Sequence, residues 1–130
     1  MTDSQERFEL WFRLVYKPLL EAQKMTAALR PGNRQYPHPK GTFAGQDARI
    51  VILKTPGDDN GRKAILDSIG RNIEITEVRT KKIGDLTAED FTGMSPDCQS
   101  VEAAKYHLGL IYNILFSDEN EVSIIRWRYQ

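Results

Sequence analysis

QKMTAALRPGNRQYPHPK, residues 23–40, is the stretch on which the reading of this chain turns. Its first half pulls two ways. Ala27 and Ala28 favour a helix, while Arg30-Pro31-Gly32 forces the chain to turn, so local propensity leaves helix and strand both open. Its second half carries Arg34, Tyr36, His38 and Lys40 among prolines at 37 and 39. Arginine grips phosphate with a fork of donors, lysine supplies a point charge, and a tyrosine ring offers a stacking face for an unpaired base. Prolines stiffen such a segment and lower the ordering cost of binding. The same residues also suit a solvated loop without a ligand.

Charge sets this stretch apart from the rest of the chain. The 130 residues hold 18 basic and 18 acidic side chains, which gives no net pull toward an anionic partner. From Ala22 to Gln46, however, Lys24, Arg30, Arg34 and Lys40 stand without a single acid. A neutral total therefore conceals a cationic segment on an otherwise acidic body. Composition otherwise describes one domain with 40% hydrophobic residues, enough for a single core. Cys98 is the only cysteine, so no internal disulfide exists. No basic segment followed by an apolar run marks a leader or a membrane span, and the expected compartment is the cytoplasm.

Outward from the segment, Phe8, Trp11, Phe12 and Val15 fall at helical spacing and predict an amphipathic N-terminal helix over residues 1–16. Pro18 breaks it, and a short second helix starts there with Leu19 and Leu20. Ile50 to Leu53 is an apolar run of strand length, as in a strand covered on both faces. PGDDNG, residues 56–61, reads as a turn leading to a returning strand. In IEITEVRTKKI, residues 73–83, the alternation at Ile73 and Ile75 changes parity by Val78, which predicts a β-bulge. Thr87 and Asp90 form a capping box. Ser95-Pro96-Asp97 resembles a second helix start, with a stripe of Val101, Ala104, Leu108, Ile111 and Leu115 running to about Phe116. EVSIIRWRYQ closes the chain as a strand with Ile125, Trp127 and Tyr129 on one face and Arg126 and Arg128 on the other. The order helix, strands, helices, strand is α+β.

Catalytic and metal motifs are sparse. His38, Cys98 and His107 lack paired-ligand spacing, so no metal is expected. GDDNGRK, residues 57–63, lacks the spacer and the Ser or Thr of a phosphate loop, and no Gly-x-Ser-x-Gly elbow is present.

Several of these pieces resemble the ASCH domains, whose fold is the β-barrel of PUA-like RNA-binding modules. The resemblance covers about residues 17–129. It is most specific in IGDLTAEDFTGMS, residues 83–95, and extends to LGLIYN, residues 108–113, and to VSIIRWRY, residues 122–129. The family hallmark Gly-x-Lys-x-x-Glu-x-Arg, sometimes with Thr for Glu, appears as AQKMTAALR. Ala22 stands for the Gly, Lys24 and Arg30 match, and the gap is one residue longer. Ala27 or Ala28 fills the Glu/Thr position, and Thr92-Gly93 stands where the family carries a Glu before Gly. The resemblance implies a PUA-like barrel over residues 17–130, with a strand through Lys24–Arg30 and the first 16 residues as an added helix. It further implies binding of RNA or a nucleotide-like ligand in a cationic cleft. Lys24, Arg30 and Arg34 would meet phosphates, Tyr36 would stack, and Lys40 and Arg126 would extend the path. No cofactor is expected. Some small ASCH proteins hydrolyse N4-acetylcytidine, so the alternative is a hydrolase acting on a modified nucleoside or on single-stranded RNA, with Lys24 and Thr26 as its catalytic candidates. A third reading has Phe8, Trp11 and Phe12 binding a partner helix.

Overall fold

The computed structural model describes residues 8–55 and 65–130. Strands β1 (Phe8–Arg13), β2 (Ala27–Pro31), β3 (Asp47–Thr55), β4 (Ile65–Lys82) and β5 (Glu121–Tyr129) form one sheet in the order β1-β3-β4-β5-β2. β1 runs parallel to β3, with Leu10 opposite Ile50; the other neighbours are antiparallel. Helices α1 (Lys17–Glu21) and α2 (Val101–Tyr112) complete an α+β arrangement. The expected turn at residues 56–61 lies outside the described residues.

The expected N-terminal helix is instead strand β1. Phe8 and Phe12 fit either period, Leu10 fits only the alternation of a strand, and pairing with β3 selects the period of two. Leu10 and Phe12 are buried, whereas Trp11 and Val15, which a helix would have placed inward, are exposed. A single 3₁₀ turn at Leu14–Tyr16 then leads into α1, which has Pro18 in its first turn, where the missing N–H costs nothing.

Two apolar clusters lie on opposite faces of the sheet, because successive side chains of a strand point to opposite sides. In β5, Ile125 and Trp127 join Leu10, Phe12, Ile50 and Ile75, while Val122 and Ile124 join Leu29, Phe91, Ala104 and Leu108. β2 splits likewise, Ala28 to the first cluster and Ala27 and Leu29 to the second. β3 is covered on both faces as its apolar run predicts, with Ile50 and Val51 both buried. The bulge expected in β4 falls between Ile75 and Glu77 in its pairing with β5.

The second half differs from expectation at its helices. The Thr87–Asp90 capping box is present, but it opens only a 3₁₀ turn at Ala88–Phe91. Ser95-Pro96-Asp97 does not start a helix. α2 begins six residues later, capped by Ser100, whose Oγ accepts the Ala103 N–H at 3.1 Å. Its apolar stripe ends early because Asn113 turns left-handed (φ 56°), leaving Leu115 97% exposed while Phe116 returns to the core.

Among the described residues the sheet stays open, with β1 and β2 as its two edges. Closure into the expected PUA-like barrel is not seen among the described residues; the two edges are linked there by Arg30, which donates to the Trp11 carbonyl.

Candidate functional site

Arg30 leaves β2 toward the other edge of the sheet. Its Nη1 donates to the Leu29 carbonyl at 2.9 Å and its Nη2 to the Trp11 carbonyl of β1 at 2.8 Å. The guanidinium carbon lies 4.8 Å from the centre of the Phe12 ring, within range of a cation–π contact. Burial pushes its pKa below the usual arginine value, Tyr112 and Tyr16 act the other way, and the positive Arg34 adds to the lowering. An arginine stays charged at any pH a protein tolerates, so the consequence is a partly desolvated cation. No carboxylate among the described residues pairs with it.

Facing it is a polar cluster built from three elements. The 3₁₀ turn after β1 presents Tyr16, whose hydroxyl donates to Asp97 Oδ2 at 3.1 Å. The turns before α2 carry Asp97 and Ser95, whose hydroxyl donates to Asp97 Oδ1 at 2.5 Å. From α2, His107 brings Nδ1 to 4.0 Å from Asp97 Oδ2. Burial first, then Asp97, raises the Tyr16 phenol to about 12, so it remains a donor near neutral pH. Burial and Asp97 likewise raise the Cys98 thiol to about 12. Cys98 is therefore held as an unreactive thiol, in sulfur contact with Met94 at 3.8 Å.

Between these groups lies a cleft with an interior of about 60 Å³, which its open mouth extends to about 430 Å³. Arg30, Tyr16, Asp97 and His107 line it, with apolar walls from Met25, Met94, Leu108 and Ile111. A second hollow continues past Arg30 toward Trp11, Arg13 and Tyr112. The interior exceeds the roughly 10–15 Å³ that admit one water and stays below the roughly 300–1,000 Å³ of a full small-molecule pocket.

Of the ligand-binding and catalytic candidates named from the sequence, only Arg30 lines this cleft. Lys24 is exposed on the turn before β2, so the strand implied for Lys24–Arg30 starts three residues late. Thr26 packs against Gly93, and its backbone N–H donates to the Gly93 carbonyl at 2.8 Å; no hydrogen bond joins it to Lys24. Arg34 donates from Nε to the Pro31 carbonyl at 3.0 Å. Tyr36, 66% exposed, meets Phe43 edge-on with ring centres 5.5 Å apart, and Lys40 is exposed beyond it. Arg126 is taken up by the turn at residues 88–91. It donates to the carbonyls of Thr92 at 2.6 Å and of Glu89 and Asp90 at 3.0 Å each, and approaches Glu77 at 3.4 Å. The expected path of five cations and a ring is thus not gathered at this cleft. Among the described residues no three His, Cys, Asp or Glu side chains converge as a metal would require. Nor is any helix there long and apolar enough to cross a membrane.

Sequence reasoning missed Tyr16, Ser95, Asp97 and His107 as site residues. Tyr16 was assigned to a helix, and Ser95 and Asp97 to a helix cap, so neither reading directed them at one another. A usable signal was Ser-x-Asp beside the lone Cys98, a polar pair between apolar Met94 and Val101.

Known proteins were compared at the levels of sequence and structure. No protein-family model matches the chain, and no curated protein does. Among solved structures, the chain is similar to an ASCH domain from Lactobacillus crispatus JV V101. That likeness has a TM-score of 0.52 at 12% identity, over 88% of this chain and 70% of the other. It is also similar to a protein of Enterococcus faecalis V583 described by the family model DUF984. There the TM-score is 0.48 at 17% identity, over 86% of this chain and 64% of that one. The sheet with its two helices therefore has an ASCH-like fold.

Proposed function

We propose that the cleft beside Arg30 binds an unpaired nucleotide, free or within a single strand of RNA. The observation that carries this reading is Arg30 itself. It is a partly desolvated guanidinium held by two backbone carbonyls and a ring face, with N–H donors to spare and no carboxylate partner. A buried charge without a counter-ion is costly, and an anionic or carbonyl oxygen of a ligand relieves that cost. The apolar walls suit the flat faces of a base, and the size of the cleft suits one ring edge rather than a stacked strand. The Tyr36–Lys40 lip lies on another part of the surface and is not needed for this mode.

Calorimetric titration with uridine and guanosine 5′-monophosphates, the parent nucleosides and a short single-stranded RNA tests the reading. Wild-type protein is expected to bind at least one of them, and Arg30→Ala to lose about tenfold to a hundredfold in affinity, the worth of one or two charge-assisted hydrogen bonds. A salt dependence of about one ion fits a single phosphate contact, whereas a steep dependence fits a long basic path. Equal affinity in wild type and Arg30→Ala refutes the assignment. The nucleoside, nucleotide and RNA arms separate base recognition from phosphate recognition and free ligand from strand.

A further inference from the structure

Arg30 lines two hollows, which share it together with Phe12, Tyr16 and Ile111. The first continues to Asp97 and His107. The second continues instead to Trp11, Arg13 and Tyr112, with an interior of about 60 Å³ that its mouth extends to about 320 Å³. Among the described residues no acid lines this second hollow. Its residues lie close to Arg30. The Trp11 carbonyl accepts Arg30 Nη2 at 2.8 Å, and Tyr112 influences the protonation of Arg30 more than any other side chain does. Arg13 Nη2 reaches the Ile111 carbonyl at 3.5 Å, so β1 and the end of α2 meet there.

The second hollow is also where aromatic rings are left in the open, Trp11 being 43% exposed and Tyr112 37%. Trp11 Nε1 donates to Glu9 Oε1 at 3.0 Å, and Glu9 pairs with Arg49 at 2.7 Å. The indole is thereby held in place, and the one carboxylate beside it has its own cation. A ring fixed in advance loses little freedom on binding, and it stacks on any base because every base has a π-face.

A nucleotide strand alternates bases with phosphodiesters, so a single cation shared by two hollows matches one step of such a strand. Resting on the nucleotide reading of the first cleft, we infer that the second hollow is a subsite for the neighbouring base of a single strand. The phosphodiester lies on Arg30, one base occupies the side of Tyr16 and Asp97, and the next rests against Trp11 and Tyr112 in the mouth. The ligand class is therefore an unstacked dinucleotide step of RNA, for which a free mononucleotide fills only half the site.

The test compares uridylyl-(3′→5′)-uridine with uridine 3′-(methyl phosphate) by calorimetry, beside uridine 5′-monophosphate. The first two carry the same single phosphodiester charge, so their ratio reports the second base alone. In wild type the dinucleotide is expected to bind about tenfold more tightly, the worth of one base stacked on an aromatic ring. In the double variant Trp11→Ala/Tyr112→Ala that ratio should shrink to within about twofold, whereas in Trp11→Phe/Tyr112→Phe, which keeps both rings, it should survive. If the alanine variant does not fold, the wild-type protein gives an independent reading, because it has only two tryptophans and Trp127 is buried. The indole N–H resonance of Trp11 should then shift with the dinucleotide and stay in place with the methyl ester. Equal affinity of dinucleotide and methyl ester for wild type, a ratio unchanged in the alanine variant, or a Trp11 resonance unmoved by the dinucleotide overturns the second subsite, while the nucleotide reading stands on Arg30-dependent binding of the monophosphate. If none of the three ligands binds wild type, the nucleotide reading falls and this inference with it.

Discussion

Gly93 and Thr26 show how a single position constrains the site. Gly93 has φ of 84°, a region that suits glycine, and its carbonyl accepts the N–H groups of Thr26 and Ala27, pinning the start of β2. A Cβ there would collide with Thr26 Oγ1. Gly93→Ala is therefore expected to cost about 1–3 kcal/mol through backbone strain and to disturb the strand that delivers Arg30. Urea unfolding of Gly93→Ala, alone and combined with Thr26→Ala, checks this. The double variant should recover the share due to the collision and keep the share due to φ. The same contact explains the place of Thr26, a hydroxyl that faces a glycine instead of a lysine. Arg30 stood out as a candidate because its charge lies in an acid-free segment. Asp97 did not, since its hydrogen bond from Tyr16, 81 residues away in sequence, is encoded by no local pattern.

At the scale of elements, the 3₁₀ turn at residues 88–91 is anchored to the sheet through one buried carboxylate. Asp90, 3% exposed, accepts Lys81 Nζ from β4 at 2.7 Å and the Thr87 backbone N–H at 2.8 Å, and Arg126 from β5 caps the carbonyls of the same turn. Burial alone would raise the Asp90 pKa, but the Lys81 and Thr87 hydrogen bonds outweigh it and leave the value lowered. A carboxyl whose folded pKa lies below its unfolded value stabilises the fold at pH above about 4, the ordinary aspartate value, and loses that contribution as pH falls through the folded value. Asp90→Asn should therefore lower stability by about 1–3 kcal/mol at neutral pH and by progressively less as the medium is acidified below about pH 4. Denaturant midpoints followed against pH measure it, and a constant difference between the two proteins across that range would contradict the assignment. The capping box that builds this turn was readable from Thr87 and Asp90 alone. What sequence did not carry is that the box would stop after one turn, because the chain must bring Gly93 back onto β2.

For the whole molecule, sheet order explains what periodicity left undecided. β3, β4 and β5 were legible because their apolar runs have no competing helical reading, and the bulge in β4 announced itself as a change of parity. β1 was misread because Phe8 and Phe12, four residues apart, fit both periods while Trp11 fits only the helix, and only its partner β3, some 40 residues on, settles the matter. That one strand matters for the proposed site, since β1 supplies the Phe12 ring and the Trp11 carbonyl that hold Arg30 and then leads directly into Tyr16. The proposed site thus lies at the seam between the two sheet edges, which the Arg30 side chain bridges to the Trp11 carbonyl. The basic lip at Tyr36–Lys40, prominent in the sequence, is a separate surface feature. Mapping amide chemical shifts of the wild-type protein during titration with uridine 5′-monophosphate distinguishes the two locations directly. Binding at the seam predicts shifts centred on Arg30, Tyr16, Asp97 and His107, with Tyr36 to Lys40 unmoved; shifts centred on Tyr36 to Lys40, with the seam silent, would contradict it.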